Sequence, residues 1–253
     1  MSVAQKAPDR NDPLAVSVVL PAYNESGNLG PLIEEIHTAL FATTHEIVVV
    51  DDGSTDDTRD RLVALKARYP QLRVIAHNAN AGQSRAVRTG IMAARAPVIA
   101  TLDSDGQNDP ADVPAMLAQL TRDDAPERLS MVWGRRAERR DTAAKRMGSR
   151  VGNGVRARLL RDECDDTGCG LKVFRRDAFL ELPYFDHIHR YLPALMRREG
   201  YVTEPRDVNH RERGAGASKY TNLGRLKVSI ADLRGVMWLL RRARNPGGWE
   251  EVG

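Results

Sequence analysis

The stretch Ala96-Pro97-Val98-Ile99-Ala100-Thr101-Leu102-Asp103-Ser104-Asp105-Gly106-Gln107 decides how the rest of the chain is read. Its apolar first part has the length and character of a buried strand. Two carboxylates follow one residue apart, where that strand runs out. Successive residues of a strand alternate faces, so Asp103 and Asp105 leave the same side of the backbone if the extended geometry persists. Two anions held together repel unless a cation sits between them. Oxygen ligands suit a hard divalent ion, which takes one or two carboxylates together with phosphate oxygens. Gln107 offers a further neutral oxygen. One reading is therefore a seat for a metal and a diphosphate at a strand's carboxyl end. The other is an Asp/Gly/Asn-rich turn before a helix opened by Pro110, which the same residue types favour.

Outward from this point the first half alternates between two periodicities. Ala15 to Leu20, Glu46 to Val50 and Leu72 to Ala76 are apolar runs of strand length. Between and after them, about 24–40, Thr55 to Tyr69, Gly82 to Ala94 and Pro110 to Leu120 carry apolar residues at helical spacing. Strands that alternate with helices predict βαβ units and a mostly parallel sheet covered on both faces. Ligands of open sheets of this kind bind beyond the carboxyl ends of the strands. Three polar punctuations fall there: Pro21 to Glu25, Asp51 to Ser54 and Asp103 to Gln107. The second half is less regular. Leu129 to Trp133, Leu171 to Phe174 and Tyr201 to Val208 read as strands. Thr142 to Leu160, His189 to Arg198 and Leu223 to Arg242 read as helices. A polar tail over 1–13, a main domain over 14–221 and a basic amphipathic helix with its tail over 222–253 are the expected divisions.

The chain has 253 residues and two cysteines, Cys164 and Cys169, too few for a disulfide framework or a four-ligand zinc site. That usage fits a reducing compartment. No run of 18 uncharged apolar residues is present, so nothing predicts a membrane span. The net charge of +4 is unevenly distributed. Ten Arg and Lys residues lie between Gly134 and Arg161, among them Arg135, Arg136, Arg139 and Arg140. A second basic cluster runs from Arg225 to Arg244. Such asymmetry points to an anionic partner: phosphate, nucleic acid or an acidic membrane surface.

Three segments resemble the signatures of family 2 glycosyltransferases with the GT-A fold, a Rossmann-like α/β architecture for nucleotide-diphosphosugars. They are Val19-Leu20-Pro21-Ala22-Tyr23-Asn24-Glu25, Val50-Asp51-Asp52-Gly53-Ser54-Thr55-Asp56 and Leu102-Asp103-Ser104-Asp105-Gly106-Gln107. Asp166-Thr167-Gly168-Cys169-Gly170-Leu171-Lys172, His189-Arg190-Tyr191-Leu192-Pro193-Ala194-Leu195 and Arg213-Gly214-Ala215-Gly216-Ala217-Ser218-Lys219 are similar to one branch of it. That branch contains dolichol-phosphate mannose synthase and bacterial undecaprenyl-phosphate glycosyltransferases. The ordered set covers about 16–242 and is far more specific than any one motif.

The resemblance implies an inverting transfer of one hexose from a nucleotide sugar, GDP-mannose or UDP-glucose, to a polyprenyl phosphate. The work would be done peripherally, at the inner face of the cytoplasmic membrane. It places Pro21, Tyr23, Glu25, Asp52, Asp103 and Arg135 on the donor, with Mg²⁺ or Mn²⁺ on Asp103, Asp105 and Gln107. It gives catalytic parts to Asp105, Asp166, Arg213 and Lys219, and the acceptor phosphate to Arg139 and Ser218. Asp166 stands as a base, an acceptor-orienting carboxylate or a turn residue, and which arginines of the run grip phosphate is left open. His189 and His210 are expected to make structural hydrogen bonds.

Leu223 to Arg244 combines an apolar stripe with Trp238 and flanking arginines, which suits a helix lying in a membrane interface or one packed on the domain. A membrane-embedded partner would be compatible with this arrangement. Three rivals remain on sequence grounds. The first is a family 2 transferase with a soluble sugar or protein acceptor and Asp166 as base. The others are a nucleotidyltransferase of similar topology and a basic nucleic-acid-binding module. The last leaves the acidic strand ends unexplained, and no nucleic-acid partner is expected.

Overall fold

A computed structural model describes residues 12–136, 156–211 and 222–244. Seven strands form one sheet: β1 (Val16–Ala22), β2 (His45–Asp51), β3 (Leu72–Ala76), β4 (Val98–Thr101), β5 (Leu129–Arg136), β6 (Lys172–Arg175) and β7 (Val202–Val208). Their order is β3-β2-β1-β4-β6-β5-β7. Only β6 runs against the rest: it is antiparallel to β4 and β5, while all other pairings are parallel. The helices are α1 (Ser26–Ala39), α2 (Thr58–Leu65), α3 (Gln83–Ala93), α4 (Val113–Thr121), α5 (Arg176–Leu180), α6 (Leu192–Arg198) and α7 (Asn222–Arg242). Short 3₁₀ turns lie at Pro110–Asp112 and Ile188–Arg190.

The period-two pattern of each strand divides its side chains between two cores. Val16, Val18 and Leu20 of β1, Ile47 and Val49 of β2 and Val98 and Ala100 of β4 pack with α1, α2 and α4. Val19, Val48 and Ile99, one residue out of step, pack on the other face with α3, α5, α6 and α7. These side chains are almost fully buried, and each contributes about 1.5–3 kcal/mol by leaving water. Burial on both faces explains why the strands read as continuous apolar runs.

Gly90 shows how closely α3 lies on the sheet. A Cβ there would sit 2.4 Å from Cγ1 of Val19 and 3.2 Å from Cγ2 of Val50. This close approach fixes the start of α3, Gly82 to Ser84, beside the carboxyl ends of β1, β2 and β4. The helix expected from Thr55 to Tyr69 is shorter, Thr58–Leu65, because Ser54 and Thr55 are tied to Asn24 instead. Helix α5 was absent from the sequence reading; its five residues are too few to show a period.

Along α7, Leu233, Val236, Met237, Leu239 and Leu240 join the second core. Ile230, Arg234, Trp238, Arg241 and Arg242 are exposed. The packed and the outward-facing readings of this helix therefore describe its two sides. No helix of the described residues is long and apolar enough to cross a membrane.

Candidate active site

The three polar punctuations do converge, and hydrogen bonds between neighbouring strand ends hold them there. At the end of β1, Asn24 takes a left-handed conformation. Its amide donates to Ser54 Oγ at 3.0 Å and its Oδ1 accepts from the Thr55 amide at 2.8 Å. Glu25 N donates to Thr58 Oγ1 at 3.0 Å, and its carboxylate accepts from Asn28 Nδ2 at 2.7 Å. The carbonyl of Pro21 accepts from Ser104 Oγ at 2.7 Å, so the β1 and β4 ends are stapled directly. Tyr23 lies half-buried at this edge.

The two acids that end β2 are both occupied by protein donors. Asp51 is fully buried; Oδ1 accepts from the Ser54 amide at 2.9 Å and Oδ2 from Arg59 Nε at 2.9 Å. Burial alone would raise its pKa, but the Ser54 and Arg59 hydrogen bonds outweigh burial and hold it below the usual carboxylate range. Asp52 accepts from the amides of Ala81 at 2.9 Å and Gly82 at 2.8 Å, and meets His77 Nδ1 at 2.7 Å. It thereby pins the loop that leads into α3. A carboxylate has about four acceptor positions, and protein donors take three of those of Asp52.

At the end of β4 the balance is different. Asp103 accepts one hydrogen bond from Gln83 Nε2 at 2.7 Å, while its own amide donates to Asn108 Oδ1 at 3.0 Å. Withdrawal from water pushes its pKa up, Asp105 adds repulsion, and Lys172, Gln83 and Arg136 only partly offset the two. Asp105 is buried, and its Oδ1 accepts the Gln107 amide at 3.1 Å. The main chain of Gln107 therefore shapes this turn, and its carbonyl accepts from the Arg211 amide at 2.9 Å. Gly170 closes the space from the other side. A Cβ at that position would lie 2.3–2.8 Å from the Asp103 carboxylate, so only glycine lets the Asp166–Gly170 turn reach it.

Two carboxylates crowded together, one of them raised by burial and by the other's charge, fit a hard divalent cation with phosphate oxygens completing its shell. No group of three or more His, Cys, Asp or Glu residues that could hold a metal by itself occurs among the described residues.

Strand β5 then separates two neighbouring arginines. Arg135 Nε is paired with Asp207 of β7 at 2.6 Å. Arg136 forks onto the buried Asp166, with Nε to Oδ2 at 2.8 Å and a terminal nitrogen to Oδ1 at 2.7 Å. Its amide also donates to Oδ2 at 3.1 Å. Arg136 is the arginine whose charge reaches Asp103. Arg135, expected on the donor, turns instead to Asp207, because consecutive residues of a strand face opposite ways. Asp166, for its part, is arranged to aim a guanidinium.

Against this geometry the profile described as Glycosyl transferase family 2 matches residues 17–182. The chain belongs to glycosyl transferase family 2. This family 2 glycosyltransferase is 35% identical over 248 residues to a dodecaprenyl-phosphate galacturonate synthase of Rhizobium johnstonii, covering 94% of the chain and 71% of that relative. It is 33% identical over 210 residues to an undecaprenyl-phosphate 4-deoxy-4-formamido-L-arabinose transferase of Yersinia enterocolitica, covering 81% of the chain and 62% of that relative. Among solved structures it superposes on glucosyl-3-phosphoglycerate synthase from Mycobacterium tuberculosis with Mg²⁺ and UDP. There the TM-score is 0.65 at 20% identity, over 92% of the chain and 80% of that structure. A mannosyltransferase from Pyrobaculum calidifontis with GDP-Man and Mn²⁺ gives 0.64 at 18% identity, over 95% and 68%. These likenesses establish the GT-A fold.

The remaining predicted residues of the transferase, Arg139, Arg213, Ser218 and Lys219, lie outside the described residues. The backbone leading to Arg213 does pass the site: His210 pairs with Asn108 in an isolated antiparallel bridge. Sequence reasoning missed Gln83 and His77. Gln83 follows Gly82 at the start of a predicted helix, which was the available signal for a residue aimed at the strand ends. Nothing local marked His77, whose role comes from Asp52, 25 residues away.

Proposed function

We propose that the transferase moves one glycosyl unit from a nucleotide sugar to a polyprenyl phosphate, inverting the anomeric centre. The observation that carries the reading is the pair Asp103–Asp105 at the carboxyl end of β4, where burial and the neighbouring Asp105 push the Asp103 carboxyl up and Gly170 walls it. The lipid-phosphate names of the relatives support the acceptor class. Donors to be tested first are GDP-mannose and UDP-glucose, with UDP-galacturonate added because of the galacturonate synthase relative.

Asp103 and Asp105 would hold Mg²⁺ or Mn²⁺, whose Lewis acidity neutralises charge on the departing nucleoside diphosphate. Gln83 fixes the Asp103 carboxylate, and Ser104 fixes the turn against β1. Arg136, oriented by Asp166, supplies a planar fork matched to diphosphate oxygens. The acceptor's phosphate oxygen attacks the anomeric carbon. A carbon–oxygen bond forms there as the bond to the diphosphate breaks, with its electron pair passing to the leaving oxygen. A phosphate monoester is already ionised near neutral pH, so no base has to remove a proton. This agrees with Asp166 being engaged by Arg136. A soluble hydroxyl acceptor would need a base that Asp166, so engaged, is poorly placed to be.

The exposed side of α7, with Trp238 between Arg234 and Arg241, is the surface proposed to rest on anionic lipid at the inner face of the membrane. The deciding experiment incubates the protein and a divalent metal with undecaprenyl phosphate and the labelled donors. Label extracted into organic solvent supports the reading; label found only on water-soluble products refutes it. Salt-sensitive sedimentation with anionic liposomes tests the helix separately.

A further inference from the structure

Deepening that reading, and resting on its metal seat at Asp103 and Asp105, we propose that Arg211 is a positioning residue of that seat. Its side chain bolts the segment after β7 to the turn that carries the two carboxylates. Asn209, His210 and Arg211 run beside 107–112 and grip it at four points. The Asn209 amide donates to Asp112 Oδ2 at 2.8 Å, and its Nδ2 donates to Oδ1 at 3.4 Å. His210 pairs with Asn108 in the antiparallel bridge, and the Arg211 amide donates to the Gln107 carbonyl at 2.9 Å. The Arg211 guanidinium then spans two elements. One terminal nitrogen donates to Glu35 Oε2 of α1 and the other to Asp109 Oδ1, each at 2.6 Å.

The strap takes over where the sheet stops holding the turn. Strand β4 ends at Thr101, and the Ser104 bond to Pro21 fixes the turn's entry. Its exit lies beyond Gly106, which takes a left-handed conformation. There Asn108, buried, accepts the Asp103 amide on Oδ1 at 3.0 Å, and the Gln107 amide donates to Asp105 Oδ1 at 3.1 Å. The two residues that the strap grips through their main chain are therefore the two that orient Asp103 and Asp105. A shift of Asn108 carries the Asp103 backbone with it, and a shift of Gln107 moves the amide that aims the Asp105 carboxylate. Metal-binding side chains must be held within about 0.5 Å of their productive positions. Groups that orient them without touching the ion accordingly set its affinity.

The residue type follows from what has to be joined. Asp109 caps the Pro110–Asp112 turn by accepting the Ala111 amide at 3.0 Å, and Glu35 lies on α1 between the buried Ile33 and Ile36. Fastening Asp109 to α1 thus anchors the turn's exit to an element already packed on the sheet. The Arg211 side chain is 40% exposed, so its ion pairs add little stability through charge alone. Its contribution is geometric. A planar guanidinium reaches two carboxylates at a fixed angle, which an ammonium on a flexible stem does not.

The test measures Mn²⁺ binding by electron paramagnetic resonance in the presence of UDP or GDP, alongside melting temperature, in wild type and four variants. Arg211→Ala is expected to weaken Mn²⁺ binding by about five- to tenfold, while nucleotide binding in chelator stays near wild type. Glu35→Ala, which cuts one arm from outside the turn, should weaken it by roughly two- to threefold. Arg211→Lys should recover only a minor part of the loss. Arg122→Ala is the matched control: Arg122 forks onto Glu204 of the same strand, at 2.8 and 2.9 Å. It should lower the melting temperature as much as Arg211→Ala does and keep wild-type Mn²⁺ affinity. Wild-type affinity in both Arg211→Ala and Glu35→Ala, or an equal loss in Arg122→Ala, overturns the positioning role and leaves the metal seat standing. Full recovery in Arg211→Lys overturns the bridging geometry in favour of charge alone. A wild type that binds no Mn²⁺ with either nucleotide overturns the strap and the seat together.

Discussion

Two strand ends of this protein carry adjacent or nearly adjacent aspartates and have opposite fates. After β2, Asp51 and Asp52 are met by Ser54, Arg59, Ala81, Gly82 and His77. After β4, Asp103 is met by Gln83 and, at a distance, by Lys172 and Arg136, against burial and the charge of Asp105. The first pair holds the loop that aims α3. In the second, burial and the charge of Asp105 raise Asp103 despite its partners, a perturbation typical of binding sites. Acidic side chains at equivalent places in a sheet therefore differ through what the neighbouring strands and helices donate to them.

The largest effect that would break this contrast is on catalysis. The double change Asp103→Ala, Asp105→Ala should lower sugar transfer by about a thousandfold or more, while circular dichroism and melting temperature show an intact fold. Transfer that persists would dissolve the distinction. Asp52→Ala should act the other way round. It removes the acceptor of the part-buried Ala81 and Gly82 amides, so stability should fall by about 1–2 kcal/mol, read from urea unfolding.

A finer cut runs along β5. Arg136→Ala should lower kcat/KM by about ten- to a hundredfold, whereas Arg135→Ala, which breaks an exposed pair with Asp207, should stay within about twofold. Equal losses would show that the strand's alternation does not sort the two.

The smallest effect is a difference in pH slope. The folded state lowers the Asp51 pKa, so its stabilising contribution is present above the ordinary carboxylate range and is lost as pH falls through it. Asp51→Asn should therefore melt lower than wild type at neutral pH, with the gap closing in acid. Asp103 is raised, so its ionised form weakens the metal-free fold once pH exceeds that raised value. Asp103→Asn should melt about 2–4 °C higher than wild type at neutral pH without metal, and the advantage should vanish below the carboxylate range. Melting curves from pH 3 to pH 7 measure both.

Much of this molecule was legible in the chain. The apolar runs around Val18, Val48 and Ile99 are continuous because both faces of each strand are buried, and such runs locate the strands and their polar ends without reference to anything distant. The periodicity of α1 and α3 and the ordered motifs did the rest, giving the α/β class, the mostly parallel sheet and the edge where the site lies. The strand that runs backwards, β6, was not legible, since direction leaves no trace in a four-residue apolar segment.

Nor could local sequence say that three donors meet Asp52, that Arg136 and not Arg135 turns toward Asp103, or that Ser84 meets His189 across 105 residues. Those outcomes depend on which donors the fold carries to a given carboxylate, and donors come from segments far apart in the chain. Pattern alone determines where strands end, because burial is a property of each residue's own side chain. Tertiary structure decides which donors reach each of those ends, because compensation is a property of neighbours.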